Sequence, residues 1–231
     1  MNKYRLTEET KVVAGVALQR IQALKSFGDV TEGDLGGWVE SEANLSHLGD
    51  CWVYGKARVL GDARVFGDAY VFGYAGVSGN AKLSGNAEVY GDAQVHGDAL
   101  VSGNAKVFGN AKVFGNAKVF GNAKVSGYAE VYRDAKLSGN AEVYGNAKVY
   151  GDAWVCGDAR VSGDAKTDTE LTDEAETSNT LDTETQLEYE KYTLSKLLLD
   201  IGDLDCKFPE EMICRDIANC KMRIRLLERG S

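Results

Sequence analysis

Histidine is scarce in this chain: His47 and His96 are the two in 231 residues. One subunit therefore cannot supply a metal site built on three histidine ligands. Proline occurs once, at Pro209. No run of apolar residues approaches the ~20 needed to cross a bilayer. No cationic, apolar leader opens the sequence. The five cysteines, Cys51, Cys156, Cys206, Cys214 and Cys220, are odd in number and lack metal or redox spacing. A reduced, cytoplasmic protein is expected. Glycine is abundant, but no glycine stretch ends in Gly-Lys-(Ser/Thr) before a helix, so there is no phosphate loop. Basic charge is not in excess either. The net charge of −9 divides into −3 for residues 1–52, +2 for 53–166 and −8 for 167–231. A nearly neutral centre with an acidic tail argues against a nucleic-acid partner.

What the chain has instead is one phrase, Val-x-Gly-(Asn/Asp)-Ala-x, repeated nineteen times from Val53 to Lys166. The aliphatic slot is Val except for Leu83 and Leu137, and the small slot is always Ala. The glycine slot fails once, at Arg133. Side chains on a strand alternate faces, so Ala and Val point inward and both x residues outward. The following Gly-(Asn/Asp) pair turns a corner, because these residues tolerate a left-handed backbone. Three such units close a triangular coil of eighteen residues, with residue i stacked under i+18. Nineteen hexads give just over six coils, roughly 30 Å tall at ~4.8 Å per layer.

Val53, Val59 and Val65 in the aliphatic slot, with Ala57, Ala63 and Ala69 in the small slot, resemble the hexapeptide-repeat family. That resemblance implies a left-handed parallel β-helix, an all-β solenoid of about 18 residues per coil. The Gly-Asn-Ala variant resembles uncharacterised bacterial and prophage proteins. The resemblance further implies flat faces through which relatives form trimers. It also implies acyltransferases that act on coenzyme A or acyl-carrier substrates with a histidine base at a subunit boundary.

Residues 1–38 read as a β-rich N-terminal cap, with short strands at 3–6, 11–13 and 18–21. Gly33 to Trp38 reads as a turn leading into the coil, which spans 39–166. Val39 and Ala43 have the spacing of a first irregular coil. Leu45 to Trp52 holds eight residues where six are expected. A cap is required on physical grounds, since open strand edges invite polymerisation. Residues 167–183 read as an acidic linker: residues 167–190 hold nine carboxylates and no Lys or Arg. Residues 184–231 read as a C-terminal α-helical hairpin, with helices near 184–201 and 209–228. Leu194 and Leu198 lie on the stripe of the first. Ile213, Ile217 and Ile224 lie on the stripe of the second.

The outward positions carry the functional information, because the inward ones are committed to packing. The residues after each aliphatic form three ladders at i+18. Phe108, Phe114 and Phe120 fall one on each face of a single coil, and Tyr132, Tyr144 and Tyr150 extend two of the ladders. Such density of outward rings is read as stacking along the sheet, as subunit contact or as a ligand platform. The other outward slot is mostly charged, with Lys106 and Lys124 between Glu88 and Glu142. The corner residues Asp62, Asn80, Asp98, Asn116, Asp134 and Asp152 read as caps of their own turns. His47 and His96 are the candidate bases, but neither has an acidic orienter at a telling spacing. No insertion interrupts 53–166 to build a pocket.

The expectation is a non-enzymatic interaction scaffold without cofactor or metal. It is expected to be homo-oligomeric, with a trimer favoured, and to hold a protein partner through the C-terminal helices without a membrane. Partner-binding candidates are Phe108, Phe114, Phe120, Tyr132, Tyr144, Tyr150, Leu194, Leu198, Ile213, Ile217 and Ile224. A phage role, including interference with a host defence complex, follows from the resemblance alone. Two alternatives stand: an acyltransferase using His47 or His96, and a binder of a nucleotide-like small molecule between subunits.

Overall fold

The computed structural model describes residues 2–172, 176–179 and Lys191. Apart from Lys191, the two expected helices lie outside the described residues, and with them Leu194, Leu198, Ile213, Ile217 and Ile224. The described chain is a parallel β-solenoid of about seven turns, each ~18 residues apart. Three long strands come first: β1 (Tyr4–Val13), β2 (Val16–Ala23) and β3 (Leu35–Val39). Two-residue strands then recur every six residues, from β4 (Trp52–Val53) and β5 (Arg58–Val59) to β21 (Trp154–Val155). The series ends with β22 (Arg160–Gly163), β23 (Lys166–Thr167) and β24 (Glu176–Asn179).

Successive strands fall on three sheets in rotation. The first sheet runs β1-β2-β3-β5-β8-β11-β14-β17-β20-β23. The second holds β4, β7, β10, β13, β16, β19, β22 and β24, and the third holds β6, β9, β12, β15, β18 and β21. Within each sheet the register is i to i+18, as in Val89 beside Val107 and Val107 beside Val125. The inward assignment holds at every hexad: all nineteen alanines and all nineteen Val or Leu residues are at most 9% exposed, most of them at 0%. They form one continuous apolar column. Backbone bonds tie each coil to the next, for example Tyr90 N–H to Val107 carbonyl at 3.0 Å and Phe108 N–H to Val125 carbonyl at 2.9 Å.

The corner glycines are fixed twice over. Gly97 has φ of +73°, and a Cβ there would lie 2.9 Å from the backbone nitrogen of Gly115 in the next coil. Positive φ and stacking of corner on corner therefore both call for glycine. Arg133 breaks the pattern yet keeps the conformation, at φ +62°.

The cap departs from its expected outline in three places. The strands expected at 3–6 and 11–13 are one strand, β1, because the two-residue turn at Ala14 (φ +51°) and Gly15 (φ +82°) folds β2 back along its length. A register shift between Leu6 and Thr10 absorbs the irregularity. The turn expected at Gly33 to Trp38 is strand β3 from Leu35 onward. It pairs antiparallel with β2 on one edge and parallel with β5 on the other, and so joins cap to solenoid. Gly36 serves close packing: a Cβ there would lie 2.6 Å from Ile21 and 2.7 Å from the Trp52 ring. Ala43, expected inward, is exposed because a short 3-10 helix (Glu42–Asn44) intervenes. Asn44 is buried instead, and its amide donates to the carbonyls of Gly61 at 2.8 Å and Ala63 at 2.9 Å.

The cap is pinned by Lys3, which is 1% exposed. Its ammonium donates to the carbonyls of Cys51 at 2.7 Å and Gly49 at 3.1 Å and lies over the Phe27 ring. Burial pushes its pKa down. At the other end the coil runs past Lys166. Thr167 fills the aliphatic slot beside Val149. Leu171 bridges Val155, and β24 pairs with β22 at an offset of sixteen. Described residues at the start of the expected linker thus still pair with the coils.

Arg133→Gly is expected to raise stability by about 1 kcal/mol, by removing a side chain from a left-handed corner. Gly97→Ala is expected to lower it by about 1–3 kcal/mol. Chemical denaturation of both variants checks the pair.

Candidate functional site

The outward side chains of the first sheet form a continuous column of rings. His96 stacks on Phe114 at 5.0 Å between centroids, Phe114 on Tyr132 at 5.0 Å and Tyr132 on Tyr150 at 5.5 Å. The planes are within 15° of parallel, as the layer spacing dictates. All four rings are half-buried. Beside them runs an ion row. Glu130 holds Lys148 at 2.9 Å and Lys112 at 3.7 Å, so one carboxylate bridges cations above and below. The bond to Glu130 raises the Lys148 pKa.

The second sheet carries a similar column with a different environment. Phe72 stacks on Tyr90 at 4.6 Å and Tyr90 on Phe108 at 5.0 Å. Tyr54, Phe72 and Tyr90 were placed by the repeat on the outer surface, yet they are 3%, 1% and 1% exposed. They are shielded over these layers, so this part of the column is not an open face. Higher up, Ser126 interrupts the rings and Tyr144 is half-buried. The expected lysine pair at 106 and 124 is neutralised: Lys106 meets Glu88 at 2.7 Å and Lys124 meets Glu142 at 3.0 Å.

The third sheet differs from both. Phe66 and Phe120 are exposed and separated by serines, and Trp154 is 43% exposed. Arg64, Lys82, Lys118 and Lys136 project from its strands, all exposed. No acidic residue occupies an outward strand position of β6, β9, β12, β15, β18 or β21.

The two histidines are not brought together. His47 stacks on Tyr4 at 4.4 Å, and its Nδ1 accepts the Lys3 backbone N–H at 3.2 Å, which makes it a latch between cap and first coil. His96 belongs to the ring column of the first sheet. Burial, and less strongly the Lys112 cation, hold its pKa below the ordinary imidazole value. A neutral imidazole suits a proton acceptor. A polar surface depression of about 540 Å³, lined by Asn146, Lys148, Asp164 and Lys166, begins three coils above the His96 layer. It does not include either histidine.

The sequence reading missed a cation cluster on the cap. Lys11 lies 4.2 Å from the Trp38 ring and Arg20 5.9 Å from it. Burial pushes Lys11 down to about 8, and Arg58 and Arg20 add to the shift. Only the cross-strand register of β1, β2 and β3 unites these residues, and no spacing in the sequence announces it. The corner ladder also behaves differently from expectation. Asn80 donates to Asp98 at 2.8 Å and Asn116 to Asp134 at 2.9 Å, so these side chains bond between coils rather than within their own turns. No metal-binding cluster of His, Cys, Asp or Glu occurs among the described residues. No helix among them is long and apolar enough to cross a membrane.

No family model matches the chain. A stretch of 62 residues is 39% identical to the uncharacterized acetyltransferase YdcK of Escherichia coli (strain K12), which amounts to 23% of this chain and 19% of that protein. The match thus spans about a fifth of the relative's length. The partial relative and the solenoid together fit a hexapeptide-repeat family.

Because His96 is harder to protonate in the folded chain than at its unperturbed value of 6.5, its contribution to stability is complete above that pH. It declines as pH falls below. An NMR titration is expected to place the His96 midpoint under 6.5, and Lys112→Met is expected to raise it only part of the way. A midpoint at or above the ordinary value contradicts the assigned burial.

Proposed function

We propose, taking a hexapeptide-repeat solenoid as the premise, that this chain is a non-enzymatic scaffold that displays the His96–Tyr150 ring column to a protein partner. The observation that supports this reading is the unbroken coil. From β4 to β21 every strand is two residues long and every connection is four, so no loop leaves the rod to wall a substrate site. A catalytic site needs a shaped pocket around the reacting groups. A column of parallel rings beside a paired ion row is instead a flat apolar strip with a polar border, the make-up of a contact surface. Phe114, Tyr132 and Tyr150 are its central residues. Phe108, Phe120 and Tyr144 lie on the other two faces and are secondary candidates.

The left-handed sense of the coil and assembly of copies through flat faces, with a trimer favoured, belong to the same proposal. A prophage setting, implied by the sequence resemblance, would make a host protein complex the partner. The name of the partial relative favours a second reading, acyl transfer with His96 as the base. His47 fits that reading less well, because its Nδ1 already accepts the Lys3 N–H.

Capture from host lysate is expected to recover a partner with the native chain and to lose it with Phe114→Ser, Tyr132→Ser and Tyr150→Ser combined. Acetyl-coenzyme A turnover is expected to be absent. Saturable turnover abolished by His96→Ala would overturn the scaffold reading in favour of the enzyme.

A further inference from the structure

One row of outward residues runs the length of the first sheet. Arg20 stands opposite Trp38, and Trp38 opposite Arg58. The row continues through Gly76, Gln94, Lys112, Glu130 and Lys148. Its upper cations are neutralised, since Glu130 meets both Lys112 and Lys148. Its lower cations are not. Arg58 has Trp38 on one side and Gly76 on the other, and Gly76 is the one glycine among the outward strand positions of the hexads. Next comes the neutral amide of Gln94, whose oxygen would lie 2.6 Å from a Cβ at that glycine. Lys11 lies over the Trp38 ring rather than against a carboxylate. Neither Lys11 nor Arg58 has an ion pair among the described residues. Arg20 has one, with Glu9 at 3.2 Å, and the Glu9 side chain is 52% exposed.

Lys11, Arg20, Trp38 and Arg58 are all half-buried, so water screens these like charges incompletely. Burial, and then Arg58, Arg20 and Lys56, push Lys11 down to about 8, with Glu9 opposing them. Lys56 comes from the corner, in a slot that holds Asn or Asp in sixteen of the nineteen hexads. On the other flank Glu40 is turned to the corner, where it accepts the Gly61 N–H at 2.7 Å. We infer that Lys11, Arg20 and Arg58, gathered at the Trp38 ring, bind the doubly charged phosphate group of a small phosphate monoester. Three cations less the Glu9 carboxylate leave two positive charges, which such a dianion cancels and a single carboxylate cancels by half. Arginine forks match phosphate oxygens, and lysine adds a point charge. The indole offers the apolar surface against which the ester group lies. The site shares no residue with the His96–Tyr150 column, so it stands independently of the proposed partner surface.

The probe is phenyl phosphate, whose second ionisation, like that of other phosphate monoesters, lies at about 6. Titrated into the full chain at neutral pH, it is expected to move the indole N–H resonance of Trp38, assigned with Trp38→Phe. The resonances of Trp52 and Trp154 are expected to stay in place. Arg58→Gln and Arg20→Gln are each expected to weaken binding at least about tenfold, the effect of losing a hydrogen bond between charged groups. Benzoate has the same ring and one charge, and is expected to bind at least about tenfold more weakly than the phosphate. Affinity is expected to fall as pH rises through about 8, because the anion is held by the Lys11 ammonium and that proton is then lost. Arg58 and Arg20 keep their charge over that range. Lys11→Met is expected to bind weakly and without the pH dependence. A Trp38 resonance that does not move at tens of millimolar phenyl phosphate overturns the inference. So does native affinity in Arg58→Gln, or benzoate bound as tightly as the phosphate.

Discussion

The interval of eighteen residues governs this molecule. Backbone bonds between coils fix the layers, and valine and alanine fill the column those layers enclose. Once the interval is set, every outward side chain has one neighbour above and one below, and its chemistry is decided by what stands eighteen residues away. A ring above a ring becomes a column, as from His96 to Tyr150. A lysine one coil from a glutamate becomes an ion pair, as with Lys124 and Glu142. A lysine beside a lysine, as with Lys118 and Lys136, has no local remedy. Function in such a fold is written as a vertical pattern on each face.

Most of this was legible in the sequence, because strict alternation of aliphatic and small residues with a glycine corner admits few folds. The coil length, the inward residues and the three ladders follow from spacing alone. The cap was less legible, and Gly36 and Gly37 show why. Two adjacent glycines read as a turn, but here they let a strand approach Ile21, Trp52 and Val53 closely. A sequence records the absence of a side chain without recording which of two reasons demanded it. Ala43 and Asn44 make a related point: one short turn of 3-10 helix exchanges which of the pair faces inward.

The candidate site was half legible. The same slot and the same residue types produce Tyr90, 1% exposed, and Phe120, 37% exposed. Burial of an outward residue depends on what lies over its sheet, and the repeat carries no information about that. The Lys11–Arg20–Trp38 cluster was hidden for a different reason, since antiparallel register in the cap has no periodic signature. By contrast, the placement of His96 in a ring column rather than a pocket was implicit in the uninterrupted hexads.

The asparagines on the corner between the third and second sheets add something the repeat does not require. Asn86 donates to Asn104, Asn104 to Asn122, Asn122 to Asn140 and Asn140 to Asp158. Every amide in the string points its hydrogens the same way, and a carboxylate that can only accept closes it. Coils that are nearly identical in composition thereby acquire an arrow. The two directions along the rod become inequivalent at its surface, and reversing Asn104, Asn122 or Asn140 would break two bonds at once.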